Sequence, residues 1–239
     1  VGPGVTAFQK GQAVFGSSSD FGTYADYTVA PIETVALKPD TLDFDEAATV
    51  SVGATTAWQG LFDQGKLEPG QRVLILGAAG GVGLFAVQFA HWKGAYVIGT
   101  SSTRNMDFVS SLGAQEVIDY TTIDVGSAAR DVDLVLDTVG GEALATVWPA
   151  LKPGGTLVSI AGQPSEAEAS KRNIRAIRFS AQTTTDLMDT FSHLIDEGQV
   201  KVAIAARIPL SEAPRAHELS QSGHGRGRIV LHINDAERH

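Results

Sequence analysis

Short uninterrupted apolar runs alternate with longer segments of helical period through the middle of the chain. RVLIL (Arg72 to Leu76) and AYVIG (Ala95 to Gly99) have the character of strands buried on both faces, and LFAVQFA (Leu84 to Ala90) between them is apolar nearly all round. Strand, buried helix, strand is the repeating unit of a parallel sheet. The alternation continues with a helix from Thr103 closed by Gly113, strands EVID (Glu116 to Asp119) and DLVLD (Asp133 to Asp137), and a helix EALATVWPAL (Glu142 to Leu151) ended near Pro149. KPGG (Lys152 to Gly155) then turns into TLVSI (Thr156 to Ile160), and IRAIRF (Ile174 to Phe179) supplies a further strand. The pattern predicts an α/β fold with a doubly wound parallel sheet of about six strands.

The flanks read differently. QAVFG, ending at Gly16, and GTYADYTVA (Gly22 to Ala30), carrying Tyr24, Tyr27 and Val29, suit strands of an antiparallel sheet or small barrel. Asp43 to Phe62 is Ala-rich with acids in its first turn, a helical signature divided at Gly53 that connects two domains. The tail offers a helix from Thr185 to Glu197, a strand around Val200 to Ala205, a helix opened by Ser211 and a final strand from Arg228 to Ile233. The expectation is a partial, mostly antiparallel barrel domain made of residues 1–48 and 203–239, interrupted by a nucleotide-binding domain over 49–202.

Composition narrows the function classes. The 239 residues carry 18 Lys+Arg against 27 Asp+Glu, net −9, with no dense basic run to offset it, so neither nucleic acid nor a membrane surface is an expected partner. With no Cys there are no disulfides, thiolate zinc sites or cysteine nucleophiles. No window approaches the roughly 20 apolar residues of a membrane span, and a soluble, cytoplasmic protein is expected. The chain opens at Val1 without a Met.

The sharpest chemical signal is GAAGGVG, Gly77 to Gly83, where the first strand of the middle region must turn into a helix. Glycines there permit a tight turn, close approach of a pyrophosphate to backbone N–H groups, and close helix–strand packing. Set against GxGxxG, Ala78 takes the first position, Gly80 the second and Gly83 the third. The turn is assigned to Gly80, the close approach to Gly80 and Gly81 beside Ala79 and Val82, and the packing to Gly83. An NAD site places Asp or Glu about 20 residues further on, at the next strand's end. Here the chain reads Gly99, Thr100, Ser101, Ser102, Thr103, Arg104. Hydroxyls and a guanidinium can donate to a 2′-phosphate that an acid would repel, which favours NADPH/NADP+. Arg104 alone could be a solvated charge on a first turn; the missing acid carries more weight.

Other chemistries find no support. The positions four after Tyr24, Tyr27, Tyr96 and Tyr120 are Thr28, Pro31, Thr100 and Asp124, so the Tyr–Lys pair of short-chain dehydrogenases is missing. Gly65-Lys66 is followed by Leu67 rather than the Ser/Thr of a phosphate loop, and there is no GxSxG elbow. The six His (His91, His193, His217, His224, His232, His239) form no HExxH and no close pair, so no metal site is expected. Asp43 and Asp45 suit a helix cap or first turn. Asp137 with Thr138, Val139 and Gly140 sits at a strand's carboxyl end, where its loop can line a cofactor or its side chain can simply form the turn.

The ordered set GTYADYTVAP, EAATVSVGATTAW, VLILGAAGGVGLFAVQFA, VIDY, DLVLDTVGG, LKPGGTLVSIAG and GRGRIVLHI resembles the zinc-independent medium-chain dehydrogenase/reductase superfamily in its NADPH:quinone oxidoreductase (zeta-crystallin-like) branch. The resemblance implies a Rossmann domain beside a GroES-like barrel, reduction of quinones or activated carbon–carbon double bonds (enones, alkenals), and a homodimer through the Rossmann sheet edge. It implies cofactor contacts at Thr56 near the nicotinamide, at Gly80 to Gly83 on the pyrophosphate, at Ser101, Arg104 and Tyr120 around the adenosine phosphate, and at Val139, Ala161 and Gly162 along the cleft. Arg228 stands where the family has Lys. The family also has an earlier stretch that forms the start of the barrel and one wall of the substrate pocket, so a shortened catalytic domain is expected here.

Hydride transfer to a quinone needs no protein acid, since the reduced oxygens take protons from solvent; an enone would need a donor beside its carbonyl. Thr56, Tyr24 and Tyr27 are candidates for that donor by polarity alone. Two other readings stand beside this one: an enoyl-thioester reductase domain of a larger chain, and an NADPH-binding structural or regulatory protein with little catalysis.

Overall fold

The computed structural model describes residues 1–18, 22–223 and 225–233, which form two compact units, 1–55 with 182–239 and 56–181. Along the chain, β1 (Val14–Gly16) pairs antiparallel with β2 (Val35–Leu37), and α1 (Phe44–Ala48) and α2 (Ser51–Trp58) follow. Then come β3 (Arg72–Leu76), α3 (Gly83–Trp92), β4 (Tyr96–Ser101), α4 (Met106–Ser111), β5 (Glu116–Asp119) and α5 (Val125–Ala128). The second unit closes with β6 (Val132–Asp137), α6 (Gly141–Thr146), β7 (Leu151–Ser159), α7 (Glu166–Arg172) and β8 (Arg175–Arg178). The chain ends its described course with α8 (Thr185–Asp196), β9 (Ile204–Pro209), α9 (Ala213–Gln221) and β10 (Arg228–His232).

The second unit holds the six-stranded sheet in the order β5-β4-β3-β6-β7-β8, every pair parallel. The order reverses between β3 and β6, the switch point at which open sheets bind ligands. Val73 to Leu76 and Leu134 to Asp137 are fully buried, and so is α3 from Gly83 to Ala90. Strands covered on both faces need apolar side chains at every position, which is why continuous rather than alternating runs form them. Each large side chain so buried, Phe85 and Phe89 among them, contributes about 1.5–3 kcal/mol. The KPGG turn does not precede β7 but bulges within it: the register with β6 jumps from Val132↔Leu151 to Leu134↔Thr156. Asp133 anchors the bulge through an ion pair with Lys152 while accepting the Arg72 N–H at 2.8 Å.

The first unit corrects several expectations. Gly22 to Ala30 is not a strand: a strand persists only with a ladder partner, none pairs with this segment among the described residues, and Tyr27 is 92 % exposed. The helical segment divides at Thr49-Val50 rather than at Gly53, because N–H groups of both residues close i→i−3 bonds to Glu46 and Ala47. Asp43 caps α1 reciprocally with Glu46. Beside the large sheet, the expected partial second domain takes the form of two small ladders in this unit, antiparallel β1-β2 and parallel β9-β10. Residues 182–202, read from the sequence as part of the nucleotide-binding domain, lie in the first unit. There the Thr185 hydroxyl contacts the Ile32 and Val35 carbonyls at 2.9 and 3.1 Å, and α8 packs its buried Met188, Phe191 and Leu194 stripe on this unit. Arg207 of β9 reaches Asp43 and Asp45 at 3.1 and 2.9 Å, fastening the closing strands to α1.

Candidate functional site

The carboxyl ends of β3, β4, β5, β6 and β7 bring five loops to one edge of the sheet, and most of the sequence-predicted residues lie in them. At the centre, β3 exits through Gly77. Its φ of +74° is the left-handed conformation of the turn, so the turn falls to Gly77 and not, as the sequence suggested, to Gly80. A Cβ at Gly77 would also lie 2.7 Å from the Thr138 hydroxyl. Being the first glycine after the strand was the available signal. Gly83 keeps its assigned packing role, because a Cβ there would fall 2.1 Å from the Gly77 carbonyl oxygen. Ala78, in the place of the first motif glycine, is accommodated by Gly99 of β4, whose absent side chain would otherwise sit 2.9 Å from the Ala78 methyl. The first hydrogen bonds of α3 run from the Leu84 N–H to Gly80 and from the Ala86 N–H to Val82, so the N–H groups of Gly81, Val82 and Gly83 lie ahead of them at the helix N-terminus. N–H groups at the start of a helix form an anion site.

At β4, the Thr100 side-chain oxygen accepts the Gly77 N–H at 3.1 Å and its carbonyl accepts the Ala78 N–H at 3.0 Å. Thr100 therefore shapes the glycine loop from below, buried, rather than offering its hydroxyl at the surface. The Ser101 hydroxyl donates to the Ser102 carbonyl at 3.2 Å. Arg104 is exposed on the 3-10 turn Thr103–Asn105. Tyr120, also exposed, follows β5, and its N–H donates to the Ser101 carbonyl at 3.2 Å, so Ser101, Arg104 and Tyr120 share one corner. The same corner holds an acid the sequence reading passed over. Asp119, 7 % exposed, accepts the Thr103 hydroxyl at 2.5 Å and the Thr121 N–H and hydroxyl at 2.9 and 2.6 Å. The Thr103 hydroxyl, followed by the Thr121 donors, holds its carboxyl below the usual value against the opposing effect of burial.

On the other side of the switch point, the fully buried Asp137 accepts the N–H groups of Val139 and Gly140 at 3.0 and 2.9 Å and the hydroxyl of the equally buried Ser159 at 2.6 Å. Of the two readings open for Asp137, its side chain is the turn former. The Ser159 oxygen in turn accepts the Gly162 and Ala161 N–H groups at 3.0 and 3.3 Å. Val139 is exposed, and Gly140 packs so closely that a Cβ would lie 3.0 Å from the Ala161 carbonyl. The loops carrying Val139 and Ala161-Gly162 are thus fixed together.

Thr56 is buried in α2, within the second unit. Tyr24 and Tyr27 belong to the first unit, where the Tyr24 hydroxyl meets His217 Nε2 at 3.3 Å. His224 and His239 lie outside the described residues, and among the described residues no group of three or more His, Cys, Asp or Glu could hold a metal ion. No described helix is long and apolar enough to cross a membrane.

A doubly wound parallel sheet with a glycine loop leaving its switch point defines a dinucleotide-binding α/β protein. The comparisons narrow this class. A family model described as zinc-binding dehydrogenase matches residues 112–231. Quinone oxidoreductase of Mus musculus is 32% identical over 97% of this chain and 76% of its own length. The quinone oxidoreductase structure from Coxiella burnetii superposes with TM-score 0.89 at 33% identity, over 98% of this chain and 76% of that one. Escherichia coli quinone oxidoreductase, solved in complex with NADPH, gives TM-score 0.88 at 28% identity, over 97% of this chain and 78% of that one. The chain belongs to this dehydrogenase family, in its quinone-oxidoreductase-like branch, and spans about three quarters of these relatives' length. Despite the family model's description, the residues present do not suit a zinc ion: there is no Cys, and no described cluster supplies the ligands.

Proposed function

We propose that the protein is an NADPH-dependent reductase of quinones or activated carbon–carbon double bonds, working without a metal. The observation that carries it is the glycine loop at the switch point, which sets the Gly81, Val82 and Gly83 N–H groups at the N-terminus of α3, where a pyrophosphate would bind. The relatives named quinone oxidoreductase, one of them complexed with NADPH, support the substrate class and the cofactor.

NADPH, when bound, supplies the hydride. In this reading the backbone from Ala79 to Gly83 cradles the pyrophosphate, and Ser101, Arg104 and Tyr120, with Thr100 beneath them, take the adenosine 2′-phosphate. Val139, Ala161 and Gly162 line the path to the nicotinamide, near which Thr56 lies. The chain's work is to orient the reacting carbons and exclude water, since no proton need come from the protein when a quinone is reduced. For an enone, a hydroxyl beside the carbonyl would stabilise the developing enolate; Thr56, Tyr24 and Tyr27 remain the proposed donors. A homodimer through the edge of the large sheet belongs to the same reading, supported by β8, whose outer side has no partner strand among the described residues.

NADPH oxidation followed at neutral pH with a benzoquinone, a small alkenal and an enoyl thioester tests the proposal. Turnover of the quinone or alkenal is expected. Turnover of the thioester alone would favour an enoyl-thioester reductase, and NADPH uptake without oxidation by any of the three would point to a binding protein.

A further inference from the structure

Resting on the placement of the NADPH 2′-phosphate at the β4-β5 corner, we propose that Asp119 is a positioning residue for cofactor selection, gripping Thr103 so that the turn presents Arg104 to that phosphate. An acid beside a phosphate site would ordinarily count against it, because a carboxylate at this edge can instead accept a ribose hydroxyl and repel the phosphorylated form. The hydrogen bonds decide between the two roles. One carboxylate oxygen takes the Thr103 hydroxyl, and the other takes both donors of Thr121. Asp119 is thus largely occupied by the protein and nearly buried.

What it holds is the element that reads the cofactor. Asp119 faces Ser101 directly in the β4-β5 ladder, and Thr103 opens the turn Thr103–Asn105 in which Arg104 is the middle residue. The strand register, the Tyr120 N–H on the Ser101 carbonyl and the Asn105 N–H on the Ser102 carbonyl at 2.9 Å fix the two ends of the corner. Asp119–Thr103 is a side-chain tie between β5 and the turn itself. Without it Arg104 would sample more positions, and a charge-assisted contact depends on orientation. Activity chemistry at the nicotinamide would be untouched.

The test compares Asp119→Asn, Thr103→Val and the conservative Thr103→Ser. Calorimetric titration with adenosine 2′,5′-bisphosphate and with 5′-AMP reads the corner directly, and steady-state kinetics with NADPH and NADH reads it in turnover. Asp119→Asn and Thr103→Val should each weaken the bisphosphate and raise the NADPH KM by about tenfold, roughly one oriented charge-assisted hydrogen bond. Binding of 5′-AMP, the NADH KM and kcat should change by less than about twofold, and Thr103→Ser should restore the wild-type values. Two substitutions on opposite sides of the tie keep the test sound if one variant fails to fold. Equal losses for both nucleotides would overturn the proposal, and so would a gain in bisphosphate affinity for Asp119→Asn, the mark of a repelling acid. A wild-type protein indifferent to the 2′-phosphate overturns the cofactor reading and this proposal with it, whereas a wild-type preference that survives both substitutions overturns this proposal alone.

Discussion

Asp119 and Asp137 end strands on opposite sides of the switch point, and each accepts the N–H of the residue two positions on, Thr121 at 2.9 Å and Val139 at 3.0 Å. From there they diverge. Asp137 is fully buried, and its remaining partners are the Gly140 N–H and the Ser159 hydroxyl, which itself gathers Ala161 and Gly162. It organises backbone, and does so whichever nucleotide is bound. Asp119 is bonded to threonine hydroxyls, one of them on a neighbouring strand's exit, and the turn it fixes carries a charge rather than a bare loop. The same local device therefore builds the general shape of the crest on one side and its selectivity on the other.

Breaking the Asp137 side should have the largest effect. Asp137→Ala leaves two N–H groups and the Ser159 hydroxyl without their acceptor, at about 1–3 kcal/mol for each unmatched buried group. The sum is a large part of a domain's whole stability, so the variant should unfold at much lower urea than wild type or fail to accumulate. Asp137→Asn keeps one carbonyl oxygen for the loop and should lose less, and with Ser159→Ala it should show clear non-additivity in a double-mutant cycle. In any folded variant of this pair NADPH and NADH should weaken together. A selective loss of NADPH would erase the contrast with Asp119.

Arg104→Ala sharpens the other side. It removes the proposed phosphate contact while leaving Asp119 and Thr103 in place, so stability should change by less than about 0.5 kcal/mol, as for most surface substitutions. The NADPH KM should rise about tenfold or more with the NADH KM unchanged, the loss of a charge-assisted contact. Parallel loss of both nucleotides would place the arginine in general folding rather than selection.

Much of this contrast lay outside what the sequence shows, for reasons the structure makes physical. RVLIL and DLVLD are legible because strands covered on both faces have no polar positions to confuse, and Gly77 to Gly83 because a strand-to-helix turn at a pyrophosphate admits little besides glycine. The ties Thr103–Asp119 and Asp137–Ser159 join residues whose closeness depends on β4 lying beside β5 and β6 beside β7. Spacing along the chain cannot reveal that adjacency. The acid of this corner stands at the end of β5 and not of β4, and the Thr100 side-chain oxygen accepts the Gly77 N–H of the loop above it. Gly22 to Ala30 shows the opposite: β-favouring residues make a strand only where a partner strand supplies the ladder.

The smallest effect is the pH dependence of the Asp119 tie. The Thr103 hydroxyl and the Thr121 donors hold the folded-state pKa of Asp119 below its ordinary value, so the ionised form is favoured by folding. Its contribution is then fully present above the unfolded value of about 3.9 and disappears as pH falls through the lower folded value. Glu168, beside Arg172, and Asp196 are lowered as well, the latter because Thr41 and backbone N–H groups outweigh its burial, so the acid slope of wild type alone is shared among several groups. The informative quantity is the stability difference between wild type and Asp119→Asn from denaturant titrations. That difference should stay level from pH 7 to about 5 and shrink below about 4. A difference that holds constant down to pH 3 would mean that the ionised carboxylate is not what holds Thr103, and that the tie between strand end and turn survives as an ordinary neutral hydrogen bond.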